Sequence, residues 1–108
     1  MAAKDWRAEE RELEELTRAS AEPVLVFLGE PFHPGAQVMA ERLRHLGSKL
    51  VGVRYLELTL GTYRLWAHAH AVFGTPTLLV FRRGRITARL QGLLEVEELE
   101  RALREALQ

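Results

Sequence analysis

The sequence predicts an α/β fold: a mixed four-stranded sheet with helices on both faces and an extra helix at the N-terminus. Three observations predict it. Short apolar runs alternate with amphipathic segments of helical period, the pattern of a layered α/β domain. The first two runs are separated by a helical segment, which makes them parallel neighbours. The last two are joined by Arg83-Gly84, a two-residue turn that makes them antiparallel. The 108 residues fit one domain over 1–108, with an N-terminal helix in 1–19 and the sheet and its helices in 20–107.

Residues 4–19 are rich in Glu, Arg, Ala and Leu and read as a helix. Trp6, Leu13 and Leu16 share one face, but Glu9 and Glu10 interrupt the stripe. Arg11 with Glu15 and Glu14 with Arg18 stand four apart and are expected to pair. This helix is read as docked on the surface by one edge. Pro23 opens a continuous apolar run over 24–28, read as a strand buried on both faces. Pro34 and Gly47 bracket the next helix, whose inward stripe is Ala36, Met39, Ala40, Leu43 and Leu46.

Residues 50–58 alternate loosely and read as the second strand, and 63–72 as a short helix. Residues 77–81 and 85–91 form the hairpin strands around Arg83-Gly84. Residues 95–107 close the chain as an amphipathic helix with Val96, Leu99, Leu103 and Leu107 inward. Glu97 with Arg101 and Glu100 with Arg104 are expected pairs on its outer face. Trp66 and Phe73 are expected in the core.

Composition narrows the function classes. Fifteen basic and fifteen acidic side chains give a formal net charge of zero, so no global field favours nucleic acid or an anionic membrane. No apolar run approaches the ~18 residues of a membrane helix. The charged N-terminal stretch is not signal-like, so a cytoplasmic location is expected. There is no cysteine, which excludes disulfides, thiolate ligands and thiol nucleophiles within this chain. His68 and His70 stand two apart and point in different directions on a helix. No metal or other cofactor is expected.

In order and phrasing, residues 20–107 resemble the thioredoxin-like family. The strand beginning at Pro23 runs into Pro31-Phe32-His33-Pro34-Gly35-Ala36, where the family carries Trp-Cys-Gly-Pro-Cys at a helix start. Gly74-Thr75-Pro76-Thr77 leads into the third strand as the family's Gly-x-Pro-Thr phrase does, and Gly92 matches its glycine after the last strand. Aligned without gaps, Phe32 matches the family tryptophan, and His33 and Ala36 match its two cysteines. Shifted by one residue, Phe32 and Gly35 take the cysteine positions. Neither register supplies a thiol, and the family's buried acid falls at Val26 or Phe27. The chemistry of the family is attack by a thiolate of lowered pKa. The resemblance therefore implies the fold and the client groove without thiol-disulfide activity, in a divergent member lacking both cysteines. The chain is not expected to be an enzyme.

The resemblance also implies a cis Thr75-Pro76 bond. It places a groove at Phe32, His33, Pro34, Thr75, Pro76, Gly92 and Leu93, where a protein or peptide partner in extended form is expected to lie. His33, near a helix start, is expected to cap the helix or sit on the surface. Arg82, Arg83, Arg85 and Arg89 are expected to form a solvated hairpin tip. Two other uses of the chain fit the same residues. One is a structural subunit that assembles through the N-terminal helix or a sheet edge. The other is a non-thiol protein that binds a small ligand near His33 at the helix N-terminus. The oligomeric state does not follow from the sequence.

Overall fold

The structure, a computed structural model, describes residues 6–108. Its elements are α1 (Ala8–Ala19), β1 (Val24–Gly29), α2 (Pro34–Gly47), β2 (Arg54–Thr59), α3 (Arg64–Ala69), β3 (Thr77–Arg82), β4 (Arg85–Gln91) and α4 (Val96–Ala106). The sheet order is β2-β1-β3-β4. The β1–β2 pair is parallel and the other two are antiparallel. This is the mixed four-stranded sheet expected. Residues 4 and 5 of the predicted first helix lie outside the described residues, and Trp6 and Arg7 precede α1.

Alternation along the two central strands builds two cores. Leu25 and Phe27 of β1 and Leu78 and Val80 of β3 face α2 and α4. Val24, Val26 and Leu28 with Leu79 and Phe81 face α1 and α3. Both strands are covered on both faces, which is why they read as unbroken apolar runs. Each fully buried Leu or Val contributes about 1.5–3 kcal/mol of transfer free energy.

Several boundaries differ from the sequence reading, three of them instructively. β2 begins at Arg54 rather than residue 50. Gly52 has φ +73, and the first rung runs from the Arg54 amide to the Pro23 carbonyl at 2.9 Å. Pro23 has no N–H, so the ladder cannot extend further in that direction. α3 ends at Ala69 instead of residue 72. Ala71 takes φ 60, and the Val72 amide bonds back to Ala67 at 2.8 Å, a left-handed stop built on alanine. Gly47 is the last residue of α2 rather than the one beyond it.

The interruption in the α1 stripe is its main attachment. Glu10 is 1% exposed. One carboxylate oxygen accepts the Arg7 amide at 3.0 Å, and the other accepts the Trp66 amide at 2.7 Å. Glu14 accepts the Trp66 indole N–H at 2.9 Å and lies 3.0 Å from His70 Nε2. Arg18 therefore pairs with Glu15 in place of the expected Glu14. His70 also packs on the Trp66 ring at 4.4 Å and meets Phe81 edge-on at 5.6 Å. On α4, the Glu100–Arg104 pair forms at 3.8 Å.

Candidate functional site

Strand pairing brings three loops to one end of the sheet. The end of β1 and the start of β3 meet at Leu28↔Thr77, and β4 ends beside them at Thr77↔Gln91. Residues 30–33, 73–76 and 92–95 therefore emerge together. Every residue of the groove expected from the sequence sits in these loops or at the start of α2.

The first loop is a braced turn. The His33 amide bonds to the Glu30 carbonyl at 3.1 Å, and the Gln37 side-chain amide bonds to the Pro31 carbonyl. This leaves Phe32 at the tip, 95% exposed. His33 is the N-cap residue of α2, and Pro34 follows at the first helical position. The His33 carbonyl accepts the Ala36 and Gln37 amides at 3.0 and 3.2 Å. Its ring makes no capping bond and lies exposed, so of the two roles expected for His33 the surface one applies. Ala36 is buried, and a Cβ placed on Gly29 would sit 3.2 Å from it. That close approach seats the start of α2 on the end of β1.

The second loop carries Pro76. The Thr75-Pro76 bond is cis and Pro76 is buried. The Thr77 hydroxyl donates to the Gly74 carbonyl at 2.7 Å, and the Pro76 carbonyl accepts the Gly92 amide at 2.9 Å. Thr75 is half-buried, and among the described residues its amide and carbonyl have no backbone partner. In the third loop Gly92 takes φ +83, a region that favours glycine. Arg42 of α2 donates to the Leu94 carbonyl at 2.6 Å and holds this loop, leaving Leu93 52% exposed.

Phe73 corrects the sequence reading. It is 71% exposed, not core. The left-handed Ala71 turns Val72 inward, and Phe73 emerges on the loop with its ring 5.1 Å from that of His68. Trp66 is fully buried, as expected. Phe32, Phe73 and Leu93 thus present exposed large apolar side chains from the three loops at this end of the sheet.

Beside the turn, between α2 and β2, lies an open cleft of about 320 Å³ lined in part by Glu30, Gln37, Glu41, Arg44 and Glu57. Arg44 and Glu57 form a two-point fork at 2.7 and 3.1 Å. Hydrogen bonding to Glu57, then its charge, raises the guanidinium pKa further above its ordinary value. Burial, then the Glu57 charge, raises the pKa of the Tyr55 hydroxyl well above its ordinary value. No described side chain hydrogen-bonds to the His33 ring, so nothing orients it as a base. Among the described residues no group of three His, Asp or Glu converges as a metal site. No described helix is long and apolar enough to cross a membrane.

Solved structures of the same shape exist. A point mutant of thioredoxin from Halobacterium salinarum NRC-1 superposes with a TM-score of 0.79 at 19% identity, covering 91% of this chain and 85% of that one. A chain from a structural study of thiol resolving in yeast mitochondrial 1-Cys peroxiredoxin via glutathione/thioredoxin systems gives 0.78 at 16% identity, covering 88% of both. No protein-family model matches the sequence, and no curated protein matches it. The chain has the thioredoxin fold. It is a cysteine-free version of that fold, so the thiol chemistry for which the fold is known has no nucleophile here.

Proposed function

We propose that this chain is a redox-silent binding module that holds an extended segment of a protein partner against the Pro76 loop. The observation that carries the reading is the Thr75 backbone. Among the described residues its amide and carbonyl stand without a backbone partner next to a buried proline, at the end of the sheet where Phe32, Phe73 and Leu93 are exposed. An extended peptide laid there gains main-chain hydrogen bonds from Thr75 and side-chain contacts from the aromatic rings, the usual division between affinity and specificity in strand-like recognition. Burying three exposed apolar side chains supplies the driving force. His33 and Pro34 form the wall on the α2 side, and Gly92 keeps the opposite wall low. The partner is a protein segment; no cofactor takes part.

The test is a displayed library of random peptides selected on the wild-type chain and counter-screened on Thr75→Arg. Peptides that bind wild type and lose at least tenfold in affinity on the folded variant support the reading. Selected peptides that bind both equally contradict it.

A further inference from the structure

We infer that the tip of the β3–β4 hairpin is a docking surface for an acidic segment of a protein partner, whose carboxylates are bound by Arg82, Arg83 and Arg85. The tip lies at the end of the sheet away from the Pro76 loop. β3 starts beside that loop at Thr77 and reaches the tip at Arg82, roughly 17 Å further on. The two surfaces are separate, and each reading stands or falls without the other.

The tip breaks two rules of local structure. Arg82 and Arg85 form the last rung of the hairpin and stand directly opposite each other. Side chains so placed leave the same face with Cβ atoms roughly 5 Å apart, where like charges repel. Arg83 and Gly84, the two turn residues, have φ 53 and 80. A turn of that kind favours Asn, Asp or Gly at its first position, because a Cβ in the left-handed region crowds the backbone. Arg83 therefore sits where Asn would fit with less strain. Neither departure is compensated among the described residues. The ion pairs there are Arg18–Glu15, Arg44–Glu57, His70–Glu14 and Arg104–Glu100, and none includes a residue of the tip. Arg82 donates to the Gln108 backbone oxygen, a contact that brings no acidic side chain to the tip. Arg83 and Arg85 are exposed. Local rules broken with no gain inside the fold mark a site whose gain comes from outside it.

The tip is also held in place. Gly84 packs on the end of α1, where a Cβ would come within 3.1 Å of the Arg18 carbonyl. Just behind the tip, the Thr87 hydroxyl donates to the Ala106 carbonyl of α4 at 3.2 Å. Guanidinium groups on a fixed turn suit carboxylates. Each planar fork takes a carboxylate at two points, and a preset backbone loses little freedom on binding. The positive charge is local, since the formal net charge of the chain is zero, so no extended positive track follows a nucleic-acid backbone. The exposed large apolar side chains, Phe32, Val38, Val51, Leu65, Phe73 and Leu93, all lie outside the hairpin. None is placed at the tip to stack on bases or to enter a bilayer. The chemistry that remains is recognition of an acidic peptide.

The test is the fluorescence anisotropy of labelled hexaglutamate, with labelled hexaglutamine as the uncharged control. Wild type is expected to bind hexaglutamate, more weakly as salt is added, and not hexaglutamine. Arg83→Asn gives the turn a residue suited to its φ, and Arg85→Gln removes the like-charge rung. The double variant is expected to unfold at a higher urea concentration than wild type and to bind hexaglutamate at least ~tenfold more weakly. Arg64→Gln removes an exposed cation from α3 and is expected to bind as wild type does. A double variant that is less stable than wild type, or unfolded, would show that the arginines serve the fold and would overturn the inference. It is overturned equally by a wild type that does not bind hexaglutamate, or by the same loss in Arg64→Gln. Tighter binding of labelled oligothymidylate or of phosphatidylserine vesicles than of hexaglutamate also overturns it.

Discussion

The Glu10 carboxylate of α1 lies 2.7 Å from the backbone amide of Trp66, in the first turn of α3. The opening amides of a helix have no partner within it, and the cap residue of α3, Tyr63, offers no side-chain bond. Glu10 supplies that bond from another helix, and its other oxygen closes the start of α1 on the Arg7 amide. One buried side chain thus fixes two helix starts and joins them. The loop bearing Phe73 and Pro76 continues from α3, so this link also positions that loop.

Replacing Glu10 with Ala leaves the buried Trp66 amide without its partner and removes the cap from the more accessible Arg7 amide. The expected loss is about 3 kcal/mol, read from urea unfolding. Glu10→Gln keeps the shape but turns an NH₂ group toward one of the amides, and about 1–2 kcal/mol is expected to be lost. A loss below ~0.5 kcal/mol for the alanine variant would show that the contact does not hold α1 in place.

Ala71→Gly is expected to stabilise the chain. Alanine at φ 60 costs about 1 kcal/mol that glycine does not, and the added freedom of the unfolded chain offsets part of the gain. A net increase of about 0.5 kcal/mol is expected in the same unfolding assay. A decrease would mean that the left-handed stop of α3 is not strained.

Gly84→Ala is expected to destabilise. Gly84 has φ +80, and a Cβ there would meet the Arg18 carbonyl at 3.1 Å, where the hairpin tip packs on the end of α1. A loss of about 2 kcal/mol, or roughly 10 °C in Tm by calorimetry, is expected. An unchanged Tm would mean that hairpin and helix separate freely.

The layers of the fold were legible because they rest on local pattern. β1 and β3 show as apolar runs since both their faces are covered, and α2 is bracketed by its own Pro34 and Gly47. What was not legible depends on distant partners. Glu10 looked like a break in a stripe, because its donor is 56 positions away. The start of β2 was misplaced because Val51 and Val53 continue its alternation, while the rung that stops it depends on Pro23 lacking an amide hydrogen. Phe73 was assigned to the core on hydrophobicity alone, whereas the backbone turn at Ala71 decides its direction. Two of the three loops at the Pro76 end of the sheet are marked in the sequence by Gly74-Thr75-Pro76-Thr77 and Gly92. The exposure of Phe73 beside them is not.

In the proposed function a partner segment binds through the Thr75 backbone and the exposed side chains of Phe32, Phe73 and Leu93. The most direct measurement is a titration of isotope-labelled protein with a selected peptide, followed by amide chemical shifts. Binding as proposed moves the amides of residues 30–36, 73–77 and 91–94, leaves α1 and the hairpin tip unchanged, and disappears in Thr75→Arg. Shifts centred on another surface, or the same shifts in the variant, would contradict it.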